Sequence, residues 1–260
     1  MLVLYHSGLT TCSKQVRHCL REKGLAYESR YINLLRFEHL SPDYLKLNPN
    51  GVVPTLVHDG HVVINSACIN EYIDEAFSEP RLSPADPRAR ARMRLWTWTA
   101  DDAHHQGARL TRNRKLKASV EAMSAADVAL VLERMPVPAR REHWQQQTSG
   151  GHSEAEMEIA TAHMHFVADR MERDLAREPW LAGEVFSLGD ISMASLIHRC
   201  FELFPDMLPR ATYPRLNDWY ARLMARPAAA FVYTPGTAET PKIPQGRSVA
   251  GIREYRAPSS

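Results

Sequence analysis

Asn48-Pro49-Asn50-Gly51-Val52-Val53-Pro54-Thr55-Leu56 runs directly into Val57-His58-Asp59-Gly60-His61-Val62-Val63-Ile64-Asn65-Ser66, and the reading of this stretch decides the fold. Proline cannot donate to a strand ladder, so Pro54 belongs at a strand start or in a special turn. Behind it, residues 55–58 and 61–64 read as two short strands, and Asp59-Gly60 between them is a strong signal for a two-residue hairpin. Residues 66–77 read as a helix with Ile69, Tyr72, Ile73 and Ala76 on one face, and Ser66 is the expected N-cap. Two readings of Val53-Pro54 stand. A trans bond would simply open a strand; a cis bond would turn the Val53 backbone groups outward to pair with an extended ligand.

Working outward, Leu2-Val3-Leu4-Tyr5 reads as a buried strand and residues 11–23 as a helix ended by Gly24. Residues 26–32 read as a second strand, and 42–47 as a short helix capped by Ser41. The order is βαβ, then α, then ββα. Strand–helix–strand implies a right-handed parallel crossover, and the hairpin adds an antiparallel edge. The Pro-rich segment 78–87 marks a domain boundary. Beyond it the pattern is helical: 88–109, 123–135 (stopped by Pro136-Val137-Pro138), 153–177, 187–204 and 214–225. The expected domains are 1–80 (α/β), 88–231 (an all-α bundle) and an extended tail over 232–260, rich in Pro, Gly and Arg.

The chain has 260 residues, 44% hydrophobic and 24% charged, with a net charge of +2. That is enough for a substantial core, and the composition is that of a globular protein. Arginines are dispersed, which disfavours nucleic acid as a partner. No apolar run can span a bilayer, and MLVLYHSG lacks the features of a signal peptide, so a cytoplasmic location is expected. Cys12, Cys19, Cys68 and Cys200 lack metal spacing and are expected as reduced thiols. Neither His104-His105 nor His163-x-His165 puts both rings on one helix face, so no metal site is expected.

The chemistry concentrates at Thr10-Thr11-Cys12-Ser13, between a strand and a helix. Unpaired N–H groups and the positive dipole end meet there and favour a thiolate, the protein's own or a ligand's. Ordinary capping by Thr and Ser, with Cys as packing, is the competing reading. Asn65-Ser66 repeats the arrangement at a second helix start, where a hydroxyl and N–H groups suit a carboxylate.

The strand–TTCS–helix start, NPNGVVPTLVHDGHVV and NSACINEYID, in this order and spacing, resemble the N-terminal domain of cytosolic glutathione transferases. PADPRARARMRLW resembles the start of that family's first helical-domain helix, and Ser187-Leu188-Gly189-Asp190-Ile191 its structural capping box. The resemblance covers residues 1–231. It implies a thioredoxin-like α/β domain followed by a helical bundle, glutathione as co-substrate, a hydrophobic electrophile as second substrate, and a homodimer. Carried over, Pro54 is cis, the Val53 backbone holds the cysteinyl part of glutathione, and Asn65 and Ser66 hold the γ-glutamyl end. Asn65 stands where the family usually has Glu or Gln. His39 resembles the histidine that theta-like members place near the glycine carboxylate, and Thr11 belongs to the same binding turn.

Three residues compete as the catalytic group. Thr10 stands where zeta-class members have their first serine. Cys12 matches beta-class proteins and the tetrachlorohydroquinone dehalogenases. Ser13 matches the lignin β-aryl-ether-cleaving members, and MSAADVALVLERMPVPARREHW (123–144) resembles the insertion typical of them. Trp96, Trp98 and His104 are expected to line the acceptor site. The implied reaction is attack of the glutathione thiolate on an aromatic-derived electrophile, by displacement of an ether or halide or by conjugation. Its rivals are a Cys12-based thiol transferase forming a mixed disulfide, and a binding protein without catalysis.

Overall fold

The computed structural model describes residues 1–8, 10–115, 117–234 and 247–258. Strand β1 (Leu2–His6) pairs in parallel with β2 (Glu28–Tyr31) and antiparallel with β3 (Thr55–His58), which pairs antiparallel with β4 (His61–Ile64), so the sheet order is β2-β1-β3-β4. Register sets Leu4 opposite Leu56 and Tyr5 opposite Thr55. At the hairpin Asp59 has φ 49° and Gly60 φ 83°. That double left-handed turn follows the twist of the strands and is why Asp-Gly stands there.

Alternation of side chains divides the sheet into two buried faces. Helices α1 (Thr11–Glu22) and α3 (Ser66–Ala76) cover one, with Val16, Leu20, Ile69 and Ile73 packed on Leu4 and Leu56. Each of these fully buried side chains contributes about 1.5–3 kcal/mol. The same cluster continues into Met93, Leu188 and Ile191 of the helical region, so the two halves share a core. On the other face Val3, Tyr5, Ile32 and Val53 pack with Tyr44 of α2 (Pro42–Leu47).

The helical region is built on α4 (Pro87–Lys115), followed by α5 (Lys117–Glu121), α6 (Ala125–Arg134), α7 (Pro138–Thr148), α8 (Glu154–Leu175), α9 (Leu188–Leu203), α10 (Pro214–Met224) and α11 (Pro227–Tyr233). Its core centres on Trp96, Met164, Met171, Leu196 and Trp219. Buried Asp190 accepts from the N–H groups of Leu181 and Ser187, both at 3.0 Å, and from Trp219 Nε1 at 2.9 Å. The capping box at Ser187 is thus also the bolt between α9 and α10.

Several elements differ from the sequence expectations. Helix α4 runs to Lys115 rather than 109, since no breaker intervenes and only the apolar periodicity fades. Pro138 does not merely stop a helix: it takes the first position of α7, where a missing N–H costs nothing. Pro227 does the same for α11. The tail expected as extended falls partly on 235–246 and 259–260, outside the described residues. Its described part forms α12 (Ala250–Glu254), which packs Ile252 against Phe37, Leu40 and Val131.

Candidate active site

The loop after β1 delivers Thr10 in extended conformation (φ −86°, ψ 143°) as the N-cap of α1. The Ser13 N–H donates to Thr10 Oγ1 at 3.3 Å, and the Ser7 N–H donates to Ser13 Oγ at 3.2 Å. The two hydroxyl oxygens are 2.7 Å apart, and Thr10 Oγ1 also lies 3.1 Å from the Ser7 carbonyl oxygen. Both hydroxyl oxygens are therefore engaged inside the turn. Ser13 is fully buried and lies outside the lining of the neighbouring cavity. The Ser13 expectation thus meets a residue turned inward, because Ser13 at the third helical position points back to its cap rather than out of the helix end.

That cavity, about 350 Å³, opens at the amino end of α1. Of the residues singled out in the sequence, Thr10, Thr11, Cys12, His39, Val53 and His104 line it. Among the described residues the Thr11 hydroxyl has no protein partner, and Thr11 and Cys12 are the first two residues of a helix whose third N–H is taken by the cap. Cys12 Sγ is 3.8 Å from His104 Nε2. Burial pushes the Cys12 thiol up to about 11; the Ser66 hydroxyl draws it back, Asp101 adds to the rise, and Arg140 opposes it. At neutral pH the thiol stays protonated, despite its place at a helix amino end.

The Val53–Pro54 bond is cis, as the resemblance implies. A second cis bond, Glu79–Pro80, was not foreseen. The carbonyl of Val52 accepts from Tyr44 Oη at 2.6 Å and Asn48 Nδ2 at 2.9 Å, which fixes the edge presented by Val53. At α3 the cap is Asn65, not Ser66. Asn65 sits at φ 71° and its Oδ1 accepts from the N–H groups of Ala67 and Cys68 at 2.9 and 3.3 Å. Asparagine tolerates that left-handed backbone and caps well. Ser66 is thereby the first helical residue, and its hydroxyl favours ionisation of the Cys12 thiol. Pro54, Asn65 and Ser66 stand behind or beside the cavity rather than in its lining.

The tryptophan expectations fail. Trp96 is buried in the helical core with the Arg170 guanidinium 5.2 Å from its ring centre, while Trp98 is 63% exposed on the outside of α4. The cavity face of α4 carries His104, Ala108 and Thr111 instead, at spacings of four and three that share one face.

His39 is buried in the cavity wall, not solvated. Burial, then the nearby Arg140 and Arg247, depress its imidazole to about 3, so it is neutral and cannot pair with a carboxylate as a cation. Among the described residues the cations of the wall are Lys14, Arg140, Arg199 and Arg247, against one acid, Glu202. Arg140 comes from α7 and Arg247 from the tail. Sequence reading missed both, since neither segment shows apolar periodicity. A cavity with this surplus of positive charge and a free strand edge fits a peptide with two carboxylates.

Residues 4–81 match the family of glutathione S-transferase N-terminal domains, and residues 128–227 that of the C-terminal domains. Protein LigF of Sphingobium sp. is 30% identical over 256 residues, spanning 96% of this chain and 99% of that protein. The chain belongs to the glutathione S-transferase family. It is a glutathione transferase, with glutathione as its co-substrate. The crystal structure of beta-etherase LigF from Sphingobium sp. superposes on this transferase with a TM-score of 0.84 at 29% identity, covering 89% of this chain and 98% of the other. A theta class glutathione S-transferase from Xanthomonas axonopodis pv. citri with glutathione bound gives 0.65 at 27% identity, covering 90% and 98%. The maleylacetoacetate isomerase of Pseudomonas aeruginosa is 46% identical over 94 residues, 35% of this chain and 44% of that protein.

Proposed function

We propose that this transferase ionises the glutathione thiol at the amino end of α1 and directs the thiolate at an aromatic-derived aryl ether, displacing a phenoxide. The observation that carries the reading is the placement of Thr11 and Cys12 at a helix start directly under His104, Ala108 and Thr111 of α4 and Arg140 of α7. The helix end supplies N–H groups and positive potential for a thiolate. The α4 and α7 walls leave room for a second, largely apolar molecule above it. The likeness to a beta-etherase along nearly the whole chain, the α6–α7 segment included, supports ether displacement over other thiolate chemistry.

In this reading the Val53 backbone pairs with the cysteinyl unit, and the γ-glutamyl end meets Ser66 at the start of α3. The Thr11 hydroxyl and the first N–H groups of α1 stabilise the thiolate. Sulfur bonds to the ether carbon, the carbon–oxygen bond breaks, its electron pair leaves on the phenoxide, and solvent returns the proton. Glutathione plus ether becomes thioether plus phenol, with no change of oxidation state. The raised Cys12 thiol disfavours the rival mixed-disulfide route.

A homodimer and a cytoplasmic setting belong to the same proposal. Leu95 and Trp98 of α4 and Ile159 and Phe166 of α8 are large apolar side chains left exposed on adjoining helices. No described helix is long and apolar enough to cross a membrane, and all four cysteines are free, which suits a reducing compartment.

The test is to incubate the purified protein with glutathione and an aryl ether whose phenol is chromogenic. One phenol and one glutathione thioether should form per ether consumed. Folded protein that binds glutathione yet cleaves no ether, while turning over aryl halides, would move the reading to halide displacement; no turnover of either would end it.

A further inference from the structure

Arg140 and Arg247 reach the cavity from segments distant in sequence, the α7 helix and the C-terminal tail. Both bear electrostatically on His39. Arg247 is firmly held: its Nε donates to Ser119 Oγ at 3.0 Å, and its guanidinium lies 5.6 Å and 5.3 Å from the ring centres of Phe37 and Trp144. The tail around it is equally fixed. The Ser248 N–H donates to the Leu35 carbonyl at 3.0 Å, and Glu254 pairs with Arg36. Gly251 sits so close to the loop below that a Cβ there would meet the Arg36 carbonyl oxygen at 2.4 Å, so only glycine lets the tail dock.

No carboxylate of the described residues lies within ion-pair distance of Arg140 or Arg247. The one acid among the described residues of the cavity wall, Glu202, is paired with Arg199 at 3.6 Å. Burial lowers the proton affinity of both guanidiniums, that of Arg247 to about 10. Two part-buried cations beside a neutral imidazole, with no carboxylate among the described residues to pair them, are unfavourable in the empty protein. A rigidly docked tail that presents one of them to the cavity is explained if a ligand brings the missing charge. A guanidinium fork matches a carboxylate in shape as well as sign.

We infer that Arg140 and Arg247 form a carboxylate-binding subsite, assembled from the α7 helix and the C-terminal tail, that holds a carboxylate of a bound reactant. This rests on the transferase reading. Two reactants could bring the group: glutathione, whose glycine carboxylate lies at the end away from Ser66, or an acidic electrophile. The tail is then a working wall of the site, and the His39 ring packs beneath the subsite without bearing its charge.

The experiment measures binding without turnover. Full-length wild type, Arg247→Gln and Arg140→Gln are titrated by calorimetry with glutathione and with glutathione amidated at the glycine carboxylate. The expected result is that each substitution weakens glutathione about tenfold or more, or about 1.4 kcal/mol, while the amidated peptide binds all three proteins alike. Arg247→Lys, which keeps the charge and loses the fork, should fall between. If glutathione binding is unchanged, a carboxylated aryl ether is compared with a neutral one, and a rise in KM for the acidic ether alone assigns the subsite to the electrophile. Unchanged binding of both peptides together with unchanged KM for both ethers overturns the inference and leaves the transferase reading standing. Loss of all glutathione binding by wild type would instead remove the reading beneath it. Should Arg247→Gln fail to fold, Arg140→Gln, on a different element, decides the matter.

Discussion

The side-chain oxygens of Thr10 and Ser13 lie 2.7 Å apart, and each hydroxyl is spoken for inside the turn that starts α1. Thr11, between them in sequence, lines the cavity, and its hydroxyl has no protein partner among the described residues. The residue types that look most catalytic by position therefore build the helix start, and in the proposed reaction their neighbour is the one offered to the sulfur. Ser13→Ala should cost about 1 kcal/mol of stability, for the bonds lost to Ser7 and Thr10, yet hold kcat/KM within about threefold. Thr11→Val should lower kcat/KM by about tenfold or more and shift its pH profile upward, since the thiolate loses a donor. Thermal unfolding and steady-state kinetics of the two variants check this; equal kinetic losses would show that Ser13 also acts on the thiol.

Cys12 carries the opposite expectation to that of a reactive cysteine. Its thiol, pushed up to about 11 by burial, remains protonated through pH 7–9, and any stability it confers in that form fades as pH rises from about 9 toward 11. Alkylation by iodoacetamide at pH 8 should be about tenfold or more slower at Cys12 than at exposed Cys68. Cys12→Ala should retain ether cleavage. Peptide mass spectrometry after timed labelling reads the first outcome, and rapid labelling at Cys12 would restore the mixed-disulfide route.

Glu22 joins the end of α1 to the start of α11. Arg226 Nε and Nη2 donate to its two oxygens, both at 2.7 Å, and His18 lies 3.3 Å away. Burial raises the carboxyl, but the Arg226 fork and His18 more than offset this and hold it near about 2. A carboxyl held below its usual range stabilises the fold above about pH 4.5, and that contribution fades as pH falls toward 2. Glu22→Gln should lose about 1–2 kcal/mol at pH 7, a figure discounted because Arg226 is a third exposed. The deficit should shrink as pH falls through this window, which urea titrations at pH 7 and pH 3 would reveal; a constant deficit would mean the loss is packing alone.

Trp98, 63% exposed on α4, and Phe166, exposed on the adjoining α8, are large apolar side chains left to solvent. Trp98→Glu should convert the proposed dimer to monomer with little change in thermal stability, because the side chain touches no core. Sedimentation velocity of wild type and variant measures it. A monomeric wild type would sink the dimer, and an unchanged dimer in the variant would place the interface elsewhere.

Much of this molecule is readable without coordinates. Local signals encode local geometry: Asp59-Gly60 requires a double left-handed turn, Ser41-Pro42 and Ser187 through Asp190 announce helix starts, and residues 55–58 and 61–64 are the strands that flank the hairpin turn. The cis bond before Pro54 and the helix start at Thr10 through Ser13 were legible too, through an ordered set of motifs that resembles a family. All of these depend on residues a few positions apart, where steric limits and hydrogen bonding act directly on the chain.

Only the tertiary structure decided which side chains share the cavity. Trp96 and Trp98 differ from His104 in their angular position on α4 and in their height along it, and the helix's packing against α8 and α9 decides which of them meets the cavity. Asn65 rather than Ser66 became a cap because its backbone takes a left-handed turn dictated by β4 entering α3. Arg140 and Arg247 lie more than a hundred residues apart and carry no periodic mark. Polar residues facing a cavity obey no repeat, so nothing local in the chain announces them; their meeting over His39 follows from long-range docking of a tail and an inserted helix.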